Sequence, residues 1–361
     1  MSLTREALLA ALDAYVDPLI GRGLIAAEAV KATELRWIGK PVVEVELGFP
    51  AAGHAETLKA ALQQHLRESL STEIEVKVSW RIRSHAVQKN LKPYAQIRNI
   101  IAVASGKGGV GKSTIAVNLA LALQAEGAKV GVLDADIYGP SQPRMLGVEH
   151  VRPTSPDGKR MHPVIAHGLQ AMSIGFLIDA EKPMIWRGPM VTQALSQLLG
   201  ETDWSDLDYL VVDLPPGTGD IQLTLSQRVP ISGAVIVTTP QDIALLDARK
   251  GLAMFQKVEV SVLGVVENMS THVCTHCGHE EAVFGAGGGE RLAAQYGVEL
   301  LGQLPLDIRI REQADGGTPT VVAAPQSDLA LRYREIARKA AARLAYGSTT
   351  AAFPDIEITD D

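Results

Sequence analysis

A glycine- and lysine-rich segment at residues 106–114 constrains the fold of this chain more than any other feature. The segment reads Gly106-Lys107-Gly108-Gly109-Val110-Gly111-Lys112-Ser113-Thr114 and matches the Walker A pattern of phosphate-binding loops. Such a loop needs glycines because it turns backbone N–H groups inward around a polyphosphate, and glycine takes positive φ angles at low steric cost. The pattern therefore predicts a loop that binds ATP between a strand and a helix.

The residues on either side of the loop support this interpretation. Residues 99–104 are a short apolar, strand-like run, and residues 113–125 strongly favour a helix. Within the loop, we expect Lys112 to reach the β- and γ-phosphates and the hydroxyl of Ser113 to ligate Mg²⁺, while the helix points its positive dipole end at the anion. The alternative is a glycine-rich turn that binds nothing.

Lys107, which follows the first glycine, distinguishes this loop from an ordinary P-loop. A lysine there points away from Lys112, so it can cross a dimer interface and contact nucleotide in the facing subunit, as an arginine finger does in trans. With this lysine the sequence resembles the deviant Walker A family, which includes the nitrogenase iron protein, the Min and Par positioning ATPases and the Mrp/ApbC iron–sulfur carriers. The alternative is a solvated surface lysine.

Composition limits the partners and the location of the chain. Its 361 residues carry a net charge of −7 with a pI near 5.8, which argues against a nucleic acid held by bulk electrostatics. No apolar run approaches the roughly 18 residues that would span a bilayer, and the first residues lack the apolar core of a signal peptide. The sequence contains two cysteines, Cys274 and Cys277, so a disulfide framework is excluded. We expect a cytoplasmic protein of about two domains with no nucleic-acid and no membrane partner.

Two regions with different patterns divide the chain. The pattern of residues 1–82 predicts a small α+β domain. Residues 83–98 show neither the helical nor the strand period of apolar residues, which predicts a linker. From residue 99 strands alternate with helices, which predicts a P-loop NTPase domain over 99–346 with a parallel sheet and helices on both faces. Residues 347–361 predict a disordered acidic tail. The expected elements are helices at 5–15, 54–70 and 329–344 and strands at 32–37, 41–48, 73–80, 130–133, 209–212, 234–237 and 262–266.

Acidic residues follow two of the predicted strands, where open α/β sheets bind their ligands. The first group is Asp134-Ala135-Asp136-Ile137-Tyr138-Gly139-Pro140-Ser141, and the second is Asp213-Leu214-Pro215-Pro216-Gly217-Thr218-Gly219-Asp220. Asp213 fits a Walker B carboxylate that holds Mg²⁺ directly or through its water shell, and Asp136 is the better candidate for orienting the attacking water. Asp134 is interpreted as structural, and helix capping or turn formation is the alternative for both groups.

A Cys-x-x-Cys pair distinguishes between branches of the family. The segment Cys274-Thr275-His276-Cys277 lies in a polar stretch after Glu267-Asn268-Met269-Ser270. Two thiolates fill half of a four-coordinate site, and a two-fold axis through the loop would gather four cysteines, enough for one bridging [4Fe-4S] cluster. The alternatives are zinc completed by a histidine, a redox dithiol and two unliganded thiols. The histidines available to zinc are His272, His276 and His279.

Together these motifs make residues 99 to about 345 resemble the Mrp/ApbC/Nbp family of iron–sulfur cluster carrier ATPases. The resemblance implies that Asn268 reads the adenine edge and that residues 304–307 flank the base. The first region resembles a MIP18-like domain through Asp17-Pro18 and its order of elements. It departs from that pattern because residues 49–54, before its second helix, contain no cysteine.

The sequence therefore predicts a homodimeric ATPase that binds a [4Fe-4S] cluster and transfers it to apo iron–sulfur proteins, with cluster scaffold proteins as further partners. A Min/Par-type positioning ATPase is the main alternative. The expected cofactors are ATP, Mg²⁺ and the cluster. Expected catalytic residues are Lys107, Lys112 and Asp136. Expected nucleotide contacts are residues 106–114, Asp213 and Asn268, and expected metal ligands are Cys274, Cys277, Ser113 and Asp213.

Overall fold

The computed structural model describes residues 3–36, 38–88, 91–177 and 188–347. Within these residues the strands form a three-stranded sheet in the first region and a nine-stranded sheet in the second. The predicted acidic tail lies, apart from Gly347, outside the described residues, and so does Trp37, where a predicted strand ends. None of the described helices is long and apolar enough to cross a lipid bilayer.

The first region packs two helices against a small sheet. Helix α2 buries Leu58, Leu62 and Leu66, which recur every four residues and so lie on one face. Strand β2 lies at the centre of the sheet, antiparallel to β1 and parallel to β3. This arrangement confirms a small separate domain ahead of the P-loop. Its elements are α1 (Arg5–Ala14), β1 (Val30–Glu34), β2 (Val42–Leu47), α2 (Ala55–Leu70) and β3 (Glu75–Trp80).

The second region alternates strands and helices, as its sequence predicts. Helices flank the sheet, and the P-loop joins its first strand to its first helix. The strands are β4 (Ile97–Ser105), β5 (Val130–Asp134), β6 (Val164–Ala166), β7 (Leu169–Ser173), β8 (Leu207–Asp213), β9 (Gly233–Thr238), β10 (Val262–Val273), β11 (Glu280–Glu281) and β12 (Leu300–Leu306). The helices are α3 (Lys112–Ala125), α4 (Gln142–Met145), α5 (Gly188–Gly200), α6 (Asp220–Arg228), α7 (Asp242–Lys257), α8 (Gly288–Tyr296), α9 (Ile308–Asp315), α10 (Thr320–Ala323) and α11 (Asp328–Tyr346).

The large sheet has the order β11-β10-β9-β4-β8-β5-β7-β6, and β12 pairs with β10. Its central strands are parallel, as the continuous apolar runs predict. The sheet is mixed, however, because β6 pairs antiparallel with β7 and β11 pairs antiparallel with β10. Strands β4, β8 and β5 are adjacent, so the P-loop and both acidic segments leave the sheet at the same edge.

Helix α3 connects the nucleotide loop to the first region. It is buried on nearly all sides, from Ile115 to Leu123, as expected of a helix that packs between a sheet and the terminal helix α11. At its end Glu126 is fully buried, and its Oε1 accepts hydrogen bonds from Arg334 and Arg338 of α11. Its Oε2 accepts a hydrogen bond from the backbone N–H of Gly53, in the first region. One carboxylate therefore joins α3, α11 and the first region.

Candidate functional site

Two glycines of the P-loop take the positive φ angles that the motif requires. Gly109 has a φ of 79° and Gly111 a φ of 84°. At Gly111 a side chain is also excluded by space, because a Cβ there would lie 2.2 Å from Nδ2 of Asn268. Gly106 is needed for a different reason, since a Cβ at that position would meet the backbone of Asp247 at 2.2 Å. The loop is thus held between Asn268 on one strand and helix α7.

The structure brings Lys112 and Asp213 into direct contact. Lys112 is the first residue of α3, and its Nζ lies 2.5 Å from Oδ1 of Asp213 at the end of β8. Their side chains are 6% and 0% exposed. An ionised carboxylate is costly to bury unless it is paired or hydrogen-bonded, and the Lys112 ammonium group stabilises the buried Asp213 carboxylate in this way. Lys112 Nζ also lies 3.3 Å from the Ser113 hydroxyl.

The two aspartates at the end of β5 and just after it lie in different surroundings. Asp134 is fully buried, and Oδ2 of its carboxylate accepts hydrogen bonds from the backbone N–H groups of Ser141 and Gln142 and from the Ser173 hydroxyl. Burial, with the nearby Asp213 carboxylate, raises the pKa of Asp134 to about 7. These contacts fold the segment between β5 and α4, which supports the structural interpretation of Asp134.

Asp136 is half-buried and lies nearer to solvent. Its Oδ1 accepts a hydrogen bond from the backbone N–H of Gly139 at 3.3 Å. Burial raises the pKa of Asp136, and the Asp213 carboxylate adds to this effect, whereas Lys112 opposes it. A carboxylate with a raised pKa is a better proton acceptor, which suits the predicted role of orienting a water.

Asn268 contacts the P-loop from strand β10. Its Nδ2 donates to the carbonyl of Val110 at 2.9 Å. This contact uses one N–H of the amide and leaves Oδ1 and the second N–H, the paired acceptor and donor that the resemblance implies for reading adenine. The next residue, Met269, has a φ of 56°, uncommon outside glycine and a frequent sign of a functional site. The pairing of β10 with β12 places Leu304 beside Asn268.

The Cys-x-x-Cys segment lies at the tip of a hairpin that extends β10. Strands β10 and β11 pair antiparallel, and the backbone N–H of Cys274 donates to the carbonyl of His279 at 2.9 Å. Cys274 is half-buried and Cys277 is exposed. Hydrogen bonds from the backbone N–H groups of Cys277 and His276 lower the pKa of Cys274, which favours the thiolate that binds metals.

No group of three or more His, Cys, Asp or Glu side chains within the described ranges is placed to hold a metal ion. Of the three histidines that could complete a zinc site, His272 lies with its Nδ1 3.4 Å from the carbonyl of Leu306. His276 and His279 are exposed in the hairpin.

Lys107 is half-buried at the start of the loop, and its backbone carbonyl accepts a hydrogen bond from the Ser105 hydroxyl. In the part of the chain that the structure describes, no ion pair involves its ammonium group. Its contact with the nucleotide of a facing subunit stays a prediction.

Two glutamines and a glutamate near the site escaped the sequence analysis. Gln142 donates from Nε2 to Oδ2 of Asp213 and to the carbonyl of Ser113, and Gln222 donates to the carbonyl of Pro215. Glu267 accepts hydrogen bonds from the backbone N–H of Gly289 and from Gln303. No motif marks such residues, because a buried amide or carboxyl that supports a neighbour has no spacing of its own.

Comparison with known proteins finds a matching family for each of the two regions. A family model described as the NUBPL iron-transfer P-loop NTPase matches residues 96–341, and one described as an iron–sulfur cluster assembly protein matches residues 5–80. The iron–sulfur cluster carrier protein of Escherichia coli K12 is 57% identical over 305 residues, covering 84% of this chain and 83% of the relative. The iron–sulfur cluster transfer protein NUBPL of Mus musculus is 52% identical over 255 residues, covering 70% and 80%.

A solved structure is similar in fold as well as in sequence. The nucleotide-binding protein of Archaeoglobus fulgidus in complex with ADP superposes with a TM-score of 0.56 at 37% identity, covering 65% of this chain and 91% of that chain. The similarity confirms the P-loop NTPase fold.

Proposed function

Since this chain belongs to the NUBPL/ApbC family of iron–sulfur cluster carriers with a P-loop NTPase, we propose that it hydrolyses ATP and carries a [4Fe-4S] cluster. Two copies of the chain hold the cluster between them and deliver it to apo iron–sulfur proteins, after loading from a scaffold protein. The division into residues 1–82, 83–98 and 99–346 is part of the proposal, and the family matches over 5–80 and 96–341 support it.

The residues of the nucleotide site fit a Mg²⁺–ATP complex. The Ser113 hydroxyl and the Asp213 carboxylate offer the hard oxygen ligands that Mg²⁺ prefers. Bound Mg²⁺ would neutralise charge on the phosphates. Lys112 leaves Asp213 for the β- and γ-phosphates, and Asp136 orients the attacking water. Lys107 contacts the nucleotide of the facing subunit, and the Asn268 amide reads the adenine.

The cluster is the cargo of the reaction, and each chain supplies two thiolates to it. Cys274 and Cys277 lie at the tip of an accessible hairpin, so the hairpins of two copies can meet without disturbing the sheet. Four cysteines complete the ligand set of one [4Fe-4S] cluster. A compartment that keeps both thiols reduced, such as the cytoplasm, suits this chemistry.

One observation carries the proposal. Strand β10 holds the amide that contacts the P-loop and continues directly into the hairpin that holds the cysteines. From Asn268 to Cys274 the chain spans at most about 20 Å in extended conformation. A single strand therefore connects the nucleotide loop to the cysteine hairpin.

Anaerobic reconstitution with iron and sulfide tests the cargo. We expect about one [4Fe-4S] cluster per two chains, and we expect Cys274→Ala or Cys277→Ala to remove it entirely, because each substitution deletes two ligands per dimer. The matched control is His276→Ala in the same hairpin, which should retain the cluster.

Two outcomes would favour the alternatives. Tightly bound zinc in each monomer, lost in His276→Ala or His279→Ala, would support a structural zinc site. Cosedimentation with liposomes or DNA that depends on ATP and persists in Cys274→Ala would support a positioning ATPase.

A further inference from the structure

The side chain of Gln142 lies between two residues of the nucleotide site. It is the first residue of α4 and is 1% exposed. Its Nε2 donates to Oδ2 of Asp213 at 2.9 Å and to the backbone carbonyl of Ser113 at 3.0 Å. One amide group therefore contacts both residues that the proposed function assigns to Mg²⁺.

Gln142 and Lys112 hold Asp213 from opposite oxygens. Lys112 Nζ contacts Oδ1, and Gln142 Nε2 contacts Oδ2. With Lys112 at the phosphates, Oδ1 of Asp213 would be available to hold Mg²⁺ directly or through its water shell. Gln142 then remains as a neutral donor that keeps the carboxylate in place without competing for the metal with a charge of its own.

The oxygen of the same amide is a buried acceptor without a partner. Oε1 of Gln142 is inaccessible to solvent and has no hydrogen-bond partner among the described residues. A buried acceptor that is left unpaired is destabilising. The contacts that Gln142 makes with the nucleotide site are therefore those of Nε2.

This inference rests on the proposed ATP function. We propose that Gln142 is a positioning residue that orients Asp213 and Ser113 for Mg²⁺ and so sets the affinity of the nucleotide site for the metal. Gln142 contributes to the affinity of the site for nucleotide only when Mg²⁺ is bound. Nucleotide that binds without Mg²⁺ does not depend on it, because the P-loop backbone and Lys112 supply those contacts.

The test is the binding of a fluorescent ADP analogue to the purified full chain, in EDTA and across a Mg²⁺ titration. Gln142→Met keeps the volume but removes the amide. We expect the Mg²⁺ concentration for half-maximal enhancement of binding to rise about tenfold, as the loss of one hydrogen bond to a charged group implies. Affinity in EDTA should stay within about twofold of the unmodified chain.

Gln222→Met is the matched control. Gln222 is 2% exposed, donates its amide to a backbone carbonyl and also has a buried oxygen without a described partner. It contacts neither Asp213 nor Ser113 in the hydrogen bonds of the described residues. It should therefore lose similar stability on substitution without changing the Mg²⁺ titration.

The results separate this proposal from the proposed function. An unmodified chain that binds no adenine nucleotide would refute the ATP function itself. Suppose instead that the unmodified chain binds the nucleotide. If Gln142→Met then loses affinity equally in EDTA and in Mg²⁺, or if its Mg²⁺ titration is unchanged, the role of Gln142 alone is overturned. If Gln142→Met does not fold, Gln142→Asn replaces it, since its amide is too short to bridge the two residues. If the Mg²⁺ titration of Gln142→Asn equals that of the unmodified chain, the proposal is overturned as well.

Discussion

At the scale of single residues, the nucleotide site contains a buried ion pair between two groups that the proposed function separates. Lys112 and Asp213 pair with each other where the phosphate and the metal are expected to bind. Sequence motifs identified both residues, because glycine spacing and an acidic residue after an apolar strand are visible in the chain. The contact between them was not visible, since it depends on how β8 and α3 approach each other.

Replacing Lys112 should therefore affect stability as well as catalysis. In Lys112→Met the buried Asp213 carboxylate loses its countercharge, so we expect the free energy of unfolding without nucleotide to fall by about 3 kcal/mol. ATP turnover should be abolished, because the charge on the transferring phosphate is lost. Urea denaturation and phosphate release measure the two effects.

The control is Lys107→Met, which removes the other lysine of the loop. Because Lys107 has no ion pair within the described residues, its replacement should change the free energy of unfolding by less than about 0.5 kcal/mol. Turnover should fall, with nucleotide affinity of the monomer nearly intact. Equal destabilisation by the two variants would contradict the importance of the buried pair.

His85, in the predicted linker, makes the stability of the fold depend on pH. Burial lowers the pKa of His85 below its ordinary value of 6.5, and Arg83 adds to this effect. Its Nε2 is buried with no hydrogen-bond partner among the described residues. The unfolded chain therefore binds the proton more readily than the folded chain, and stability is lost as the pH falls below 6.5.

We expect His85→Gln to lose less stability than the unmodified chain between pH 7.5 and 5.5. The unmodified chain should lose measurably more unfolding free energy than His85→Gln over this range, because only the unmodified chain has a histidine that is protonated more readily when unfolded. Urea denaturation at both pH values measures it, and His150→Gln, at an exposed histidine, is the control. Parallel pH profiles for the unmodified chain and His85→Gln would show that His85 is protonated freely in the fold.

At the scale of elements, the accuracy of the sequence predictions follows the strength of the local pattern. Strands β4, β8 and β9 were predicted because they are apolar on both faces, and α2 because its leucines recur every four residues. The hairpin of β6 and β7 was missed, since its short strands depend on pairing with β5. Strand β11 has two residues, too few for any alternation to show.

Strand β10 leads to a prediction about coupling. Because it contacts the P-loop and carries the cysteine hairpin, we expect nucleotide state to change the rate of cluster release. The segment after Asp213 is a second route, since the backbone N–H of Gly217 donates to the carbonyl of Ser105. Coupling free energies are typically about 1–3 kcal/mol, which corresponds to roughly 5- to 150-fold.

Transfer of the cluster to an apo-acceptor, with ATP, with ADP and without nucleotide, measures this coupling. Lys112→Met should show one rate in all three conditions. The reciprocal effect is an equal change in nucleotide affinity when the cluster is loaded. A single rate for the unmodified chain under every condition would indicate a passive carrier.

At the scale of the whole molecule, the first region is attached to the NTPase by contacts far from it in sequence. Tyr346, at the end of α11, accepts a hydrogen bond from the backbone N–H of Gly48 at 2.8 Å and packs edge-on against the ring of Phe49. Arg22 lies 5.8 Å from the centre of the Tyr346 ring. The sequence predicted two regions and a linker but could not predict their contact.

Removing the Tyr346 side chain should loosen this attachment. We expect Tyr346→Ala to lower the free energy of unfolding by about 2 kcal/mol and to increase hydrogen exchange in β2 and α2. Leu331→Ala, at an exposed position of the same helix, should do neither. Unchanged exchange in Tyr346→Ala would mean that the linker and Glu126 hold the first region by themselves.

The placement of Glu126 has a mechanical consequence. Helix α3 has 14 residues and is therefore about 21 Å long. The P-loop lies at one end of this helix, and the Glu126 carboxylate, which accepts a hydrogen bond from the first region, lies at the other. We therefore expect a shift of the P-loop along the helix axis to change the contact of Glu126 with the first region. The position of the first region, which has no cysteine, would then change with the nucleotide state of the P-loop.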